Sequence, residues 1–280
     1  MTPSVTQGRL FFPNPFGECL MSGALSQQSS NPTWRAFDNY RAEAPTYQTA
    51  MTMSGVVGKT TVLLGLLLAA GVASFGYCEG QLEAARSGQA AGGHLGLIFG
   101  GGIVAFVVAL VLSFKPAWAP LLAPAYALLE GLALGGVTAY VETIKPGIGV
   151  EAITLTLGIL GGMLFLYYNG VLRATPWLTK AITASMMAIM VTYLASFVGR
   201  MLGYEIPYIH GNGLIGIGFS LFVVGVASFS FILDFANIEA NVYQGAPKFM
   251  EWYCGFSLMV TVVWLYMEIV KLLLKLNSRD

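Results

Sequence analysis

Three acidic residues lie within or beside hydrophobic runs, and they define the chemistry open to this chain. Glu130 falls in the string LLEGLALGG, Asp234 closes a long apolar stretch, and Glu268 interrupts the last one, VVWLYMEIVKLLLKL. A carboxylate in hydrocarbon is costly unless it is neutralised, paired or in contact with water. These residues are therefore the candidates for binding or conducting a cation.

Each acid also has a structural interpretation. The structural interpretation of Glu130 is a protonated carboxyl that hydrogen-bonds a neighbouring helix, and that of Asp234 is the polar end of a span. Helical character continues after Asp234, however, to about Tyr243, before the break at Gly245-Ala-Pro247. Asp234 is thus expected to face neighbouring helices.

Glu268 has the strongest structural alternative. Lys271 follows at i+3 and Lys275 at i+7, both on the same helical face, and a Glu followed by Lys at such spacing forms a helix ion pair. The two lysines would also reach towards the membrane interface and bring the carboxylate with them. Both interpretations of Glu268 stay open at the level of sequence.

The spacing permits contact between Asp234 and Glu268 without requiring it. For a turn centred near Pro247, straight helices leave about 9 Å of axial mismatch between the two carboxyls. Two carboxyls that share a site cannot both ionise, so such a pair would hold a proton near neutral pH. Its loss would create a pH-sensitive switch, or a metal site for calcium, which prefers oxygen ligands.

The composition places the chain in a membrane. Only 14 basic and 14 acidic residues occur among 280, and 56% are hydrophobic, with a formal net charge of +0. This balance excludes an ordinary soluble domain and a nucleic-acid-binding protein.

Catalytic and metal-binding motifs are absent from the sequence. The three cysteines, Cys19, Cys78 and Cys254, have unrelated spacings, and the two histidines, His94 and His210, lie in or beside predicted loops. These patterns do not fit a disulfide framework, a zinc site or a hydrolase motif. We expect no enzyme activity, no catalytic residue and no cofactor, with calcium possible only as a permeant ion.

Seven hydrophobic windows are long enough to cross a bilayer. They cover residues 60–77, 95–114, 117–141, 152–171, 177–199, 214–233 and 252–274. We therefore predict an all-α integral membrane protein with a seven-helix domain over residues 55–280, preceded by a flexible polar tail over residues 1–54. The GxxxG spacings at Gly131/Gly135 and Gly158/Gly162 favour close internal packing of helices, with a dimer face as the alternative.

The distribution of Lys and Arg predicts a cytoplasmic amino terminus by the positive-inside rule. The basic carboxyl end, with Lys271, Lys275 and Arg279, conflicts with a strict count of seven crossings. Either the last segment does not cross fully, or a short charged end is tolerated on the far side.

The carboxyl-terminal strings DFANI and LYMEIVKLLLKL, with EGLALGG in the third window, resemble the signature of the Bax inhibitor family, also called the transmembrane Bax inhibitor motif family. The strings NPTWRAFDNY and GVVGKT are similar to a bacterial branch of it. The resemblance covers about residues 30–276. It implies six helices around a central last helix, and an inner-membrane location in bacteria.

The resemblance also implies a function. Its members are known for a pair of aspartates that senses pH in a calcium leak; Asp234 matches the first, and Glu268 occupies the position of the second. The expected function is a pH-sensitive cation leak, gated by Asp234 and Glu268 with Glu130 along the ion path. The alternative is a non-conducting interaction protein that binds a membrane protease or other membrane partners.

Overall fold

The computed structural model describes residues 50–87, 96–203, 211 and 213–278, and this part of the chain is all-helical with no β-sheet. Seven helices within these described residues are long and apolar enough to cross a membrane, as predicted. We number them α1 (Met53–Arg86), α2 (Gly101–Phe114), α3 (Ala119–Ile144), α4 (Ile148–Tyr168), α5 (Pro176–Met201), α6 (Leu214–Tyr243) and α7 (Met250–Asn277). A π-helical turn, Gly96–Gly100, leads into α2, and a 3₁₀ turn, Pro116–Trp118, leads into α3.

The first helix is longer at both ends than its apolar window. Thr52 caps its start by accepting a hydrogen bond from the Gly55 amide at 3.0 Å, which satisfies one of the free amides of the first turn. At the other end the helix passes through Cys78 to Arg86, where the sequence predicted a loop. The Glu, Gln and Arg residues of this stretch favour helix without being apolar, so the hydropathy pattern missed it.

The last helix occupies the centre of the bundle. It packs against α1, α3, α4 and α6, and it reaches α5 through a hydrogen bond between Tyr193 and Glu268. Half of its most apolar window is buried, whereas only 11% is buried in α5. The central position that the resemblance implied is thus confirmed, and α2 is held mainly by α3.

The length of α7 bears on the two alternatives for the carboxyl end. Its 28 residues extend about 42 Å, more than the roughly 30 Å of hydrocarbon in a bilayer. The helix can therefore cross fully. The side of the carboxyl end therefore stays a prediction, as the sequence left it.

The chain before α1 is tied to the loop before α7. The Met51 amide donates to the Ala246 carbonyl at 2.8 Å, and Ala50 forms an isolated bridge with Pro247. The predicted tail, residues 1–54, lies outside the described residues up to residue 49, as do His94 and His210.

The two GxxxG pairs have opposite surroundings. A Cβ added at Gly131 or Gly135 would lie 2.4 Å from the Leu67 carbonyl oxygen or 2.2 Å from that of Gly71, so α3 packs directly on α1. A Cβ at Gly158 or Gly162 would meet nothing within 4 Å. The prediction of internal packing is right for the first pair and wrong for the second, which faces away from the bundle.

This difference gives a stability test. We expect Gly135→Ala to destabilise the protein by about 1–3 kcal/mol, because the helices must separate to admit the methyl group. Gly158→Ala is the matched control and should leave stability unchanged or slightly raised, since alanine is the better helix former. Thermal unfolding in one detergent would measure both; equal losses would contradict the packing described above.

Candidate functional site

A line of polar side chains runs along one face of α7. Thr261, Glu268 and Lys275 are spaced by seven residues, close to two full helical turns, and so lie on one face. The neighbouring helices meet each of them with a polar partner. We call this line the polar seam; it comprises Thr261 with Asp234, Glu268 with Tyr193 and Lys271, and Lys275 with Ser220.

Asp234 lies at the inner end of the polar seam, beside the middle of α7. Its carboxylate accepts a hydrogen bond from the Thr261 hydroxyl at 2.7 Å. No described Lys or Arg forms an ion pair with it. As predicted, α6 continues past Asp234 to Tyr243, so this acid is inside the helix and not at its end.

Glu268 is almost completely buried, with a side chain 1% exposed. The Tyr193 hydroxyl and the Lys271 ammonium each donate to its carboxylate at 2.9 Å, and the Lys271 nitrogen lies 4.9 Å from the centre of the Tyr193 ring. The local ion pair foreseen as an alternative is therefore present. Lys275 instead donates to the Ser220 hydroxyl at 2.9 Å and to the Gly216 carbonyl at 3.1 Å.

The structure does not bring Asp234 and Glu268 into contact. Thr261, the partner of Asp234, precedes Glu268 by seven residues, a rise of about 10 Å along the helix axis. This separation agrees with the mismatch expected for straight helices, and neither tilt nor irregularity removes it. A threonine, not a second acid, stands opposite Asp234.

Glu130 lies at the same depth as Asp234 but on another side of α7. It lines a groove of about 440 Å³ together with Tyr126, Gly102 and Val260, and Val260 precedes Thr261 in the chain. Among the described residues its carboxyl has no hydrogen-bond or ion-pair partner. A carboxyl in this position is either protonated or in contact with water, which keeps Glu130 a candidate for an ion path.

An apolar cluster continues from the polar seam towards the amino-terminal end of α7. Cys254, seven residues before Thr261, continues the same face of α7 and is buried with Ile238 and Met250. Met51, Val56 and Ala246 complete this apolar plug. The polar seam thus reaches from mid-depth to the carboxyl-terminal end of α7, and the plug closes the other half.

Beyond the plug lies an ionic contact that sequence reasoning missed. The Glu251 side chain is 1% exposed and forms an ion pair with Lys59. Its carboxylate also accepts two hydrogen bonds from Thr52, one from the backbone amide at 2.9 Å and one from the hydroxyl at 3.1 Å. Gly55 leaves room for the carboxylate, since a Cβ there would lie 2.2 Å from it. We call these four residues the clasp. The sequence signal that could have predicted this contact was the opposite charges of Lys59 and Glu251, which lie near the starts of the first and last helices.

The described residues hold no group of three His, Cys, Asp or Glu side chains that could bind a metal ion together. A cation moving along the polar seam would meet its carboxylates one at a time. The predicted metal role of Asp234 and Glu268 therefore remains a prediction for each residue separately.

Fold and site together define a class: a seven-helix membrane protein whose central last helix carries intramembrane carboxylates. A family model described as Bax inhibitor 1 like matches residues 27–278. The chain belongs to this family, as the sequence resemblance indicated. No curated protein and no solved structure matches it significantly.

Proposed function

We propose that the protein is a pH-sensitive cation leak, with calcium as the expected permeant ion, gated by intramembrane carboxylates. The observation that carries this proposal is Asp234: an acid at mid-depth whose only described partner is the Thr261 hydroxyl. An acid within a membrane span that has no cationic partner is expensive, and such residues mark ion and proton pathways. The role is transport, without catalysis or a cofactor.

The polar seam supplies the route on one side of Asp234. It contains hydroxyl and carboxylate oxygens, which are suitable ligands for a hard cation such as calcium. The apolar plug on the other side, with Ile238, Met250 and Cys254, is a hydrophobic constriction of the kind that gates by excluding water. The arrangement supports a closed leak with one half of its path already polar.

Protonation supplies the regulation. A proton and a calcium ion compete for the same carboxylate oxygens, so ionisation of Asp234 creates the cation site and protonation removes it. Because Asp234 and Glu268 have separate partners, we propose two successive sites and not one shared proton. Glu130 would act on the opposite side of α7, through the groove that it lines.

The test is calcium flux into proteoliposomes between pH 5 and 8. We expect flux to rise several-fold with pH in the parent protein, since the carboxylates ionise. Asp234→Asn keeps the size of the side chain and should flatten this dependence. Glu268→Gln should lower flux with less effect on its pH dependence, because Lys271, whose side chain is 45% exposed, remains beside it.

Two outcomes would contradict the proposal. One is a parent protein that is tight to calcium throughout the range, and the other is a pair of variants indistinguishable from the parent. Thr261→Val is a further check, since it removes the only described partner of Asp234 without removing its charge; it should move the pH dependence without abolishing it.

The location proposed is the inner membrane of a bacterium, with the amino terminus cytoplasmic. Seven crossings and the family support a multi-pass membrane protein, and the basic residues of the tail support this orientation. The polar seam then opens on the side opposite the cytoplasm.

The second candidate is a non-conducting protein that binds a membrane protease or another membrane partner. The outward glycines Gly158, Gly161 and Gly162 on α4 favour it, because nothing lies near them and small residues let a second helix approach closely in lipid. A tight parent protein together with loss of partner binding on Gly158→Leu would support this function over the leak.

A further inference from the structure

A basic pocket opens at the carboxyl-terminal ends of α5 and α7. It has a volume of about 430 Å³, and Arg200, Lys271 and Lys275 supply three cations to its lining. Glu268 forms an ion pair with Lys271, and Lys275 donates to the Ser220 hydroxyl and to the Gly216 carbonyl. Arg200 forms no ion pair within the described residues, so it gives the pocket a positive charge that no described acid neutralises.

The pocket lies at the ends of helices that are long and apolar enough to cross a membrane. Arg200 is next to the last residue of α5, Lys275 lies in the last turn of α7, and Ser220 follows the start of α6. These ends belong to crossing helices that reach the same side. Basic pockets between helices at this depth are suited to anionic lipid headgroups.

Polar and apolar groups are arranged in the pocket as a lipid requires. Ser220, 2% exposed, is a hydroxyl held by Lys275 at 2.9 Å on the inner wall. Phe197, 63% exposed on the bundle surface, and Leu274 provide an apolar border. A phosphate would meet the cations while acyl chains followed the apolar border into the bilayer.

We propose that this pocket binds the phosphate headgroup of an anionic phospholipid. Charge complementarity and the lipid-facing border favour a membrane lipid over a soluble phosphate ester, which would gain nothing from Phe197. The proposal concerns binding alone and does not depend on ion conduction. Because Lys271 belongs to both the basic pocket and the polar seam, an occupied pocket would also change the charge beside Glu268.

The test is calorimetric titration of the purified full-length protein in detergent with three probes. They are dihexanoyl phosphatidylglycerol, dihexanoyl phosphatidylcholine and glycerol phosphate, used at monomeric concentrations. We expect phosphatidylglycerol to bind more tightly than either of the others. Arg200→Gln should weaken its binding about fivefold, the effect of one cation near a membrane surface, and Arg200→Lys should retain most of it.

Lys145→Gln is the matched control, because Lys145 is an exposed cation at the end of α3, on the same side and outside the pocket. It should leave binding unchanged. Equal affinity for both phospholipids, or equal losses in Arg200→Gln and Lys145→Gln, would overturn the proposal. Glycerol phosphate binding as tightly as phosphatidylglycerol would overturn it in favour of a soluble anion. Thermal unfolding of each variant separates loss of binding from loss of fold.

Discussion

Lys59→Met is expected to lower the free energy of unfolding by about 3 kcal/mol, because it leaves the Glu251 carboxylate buried without its cation. Glu251 is 1% exposed, and the two hydrogen bonds from Thr52 would be its remaining contacts. The clasp also joins the start of α1 to the start of α7, so the effect should include loosening of these two helix ends. Unfolding in mixed detergent micelles would measure it.

Arg173→Met is the matched control. Arg173 and Glu239 form an ion pair at 3.5 Å with side chains 55% and 54% exposed, and exposed pairs contribute at most about 1 kcal/mol. The double variant Lys59→Met with Glu251→Met removes both charges of the pair and should recover much of the loss. Equal losses in Lys59→Met and Arg173→Met would show that the clasp is no stronger than a surface contact.

Ile238→Asn is expected to have the largest effect on conduction. Ile238 is 7% exposed in the apolar plug. An amide at this position would bring water into the plug, which separates Asp234 from the amino-terminal end of α7. If the plug is the closed gate, calcium flux should rise about tenfold or more at every pH, because a dewetted constriction depends on its apolar lining.

The control for this variant is Ile238→Leu, which keeps the plug apolar and should leave flux close to that of the parent. A stable Ile238→Asn protein with unchanged flux would place the barrier elsewhere. The variant also bears on the interaction hypothesis, since a protein without a path would stay tight when its plug becomes polar. Thermal unfolding would establish that the variant remains folded.

Local patterns in the sequence were sufficient for a large part of this description. Seven apolar windows predicted the seven helices, since a crossing helix must be apolar over a fixed length. The helix was correctly continued past Asp234 to Tyr243, and the i+3 spacing gave the pair of Glu268 with Lys271, which the structure contains, as one of two interpretations. These features depend on residues within one helix, whose geometry is known in advance.

Contacts between helices required the tertiary structure. Lys59 and Glu251 are 192 residues apart in the chain, and Thr261 on α7 donates a hydrogen bond to Asp234 on α6. The glycine pairs make the same point, because Gly131/Gly135 and Gly158/Gly162 have one spacing but lie inside and outside the bundle. Lipid is as apolar as the protein interior, so hydropathy does not distinguish the two environments. The sequence therefore determined the helices and the acids they carry, and only packing decided which partners those acids meet.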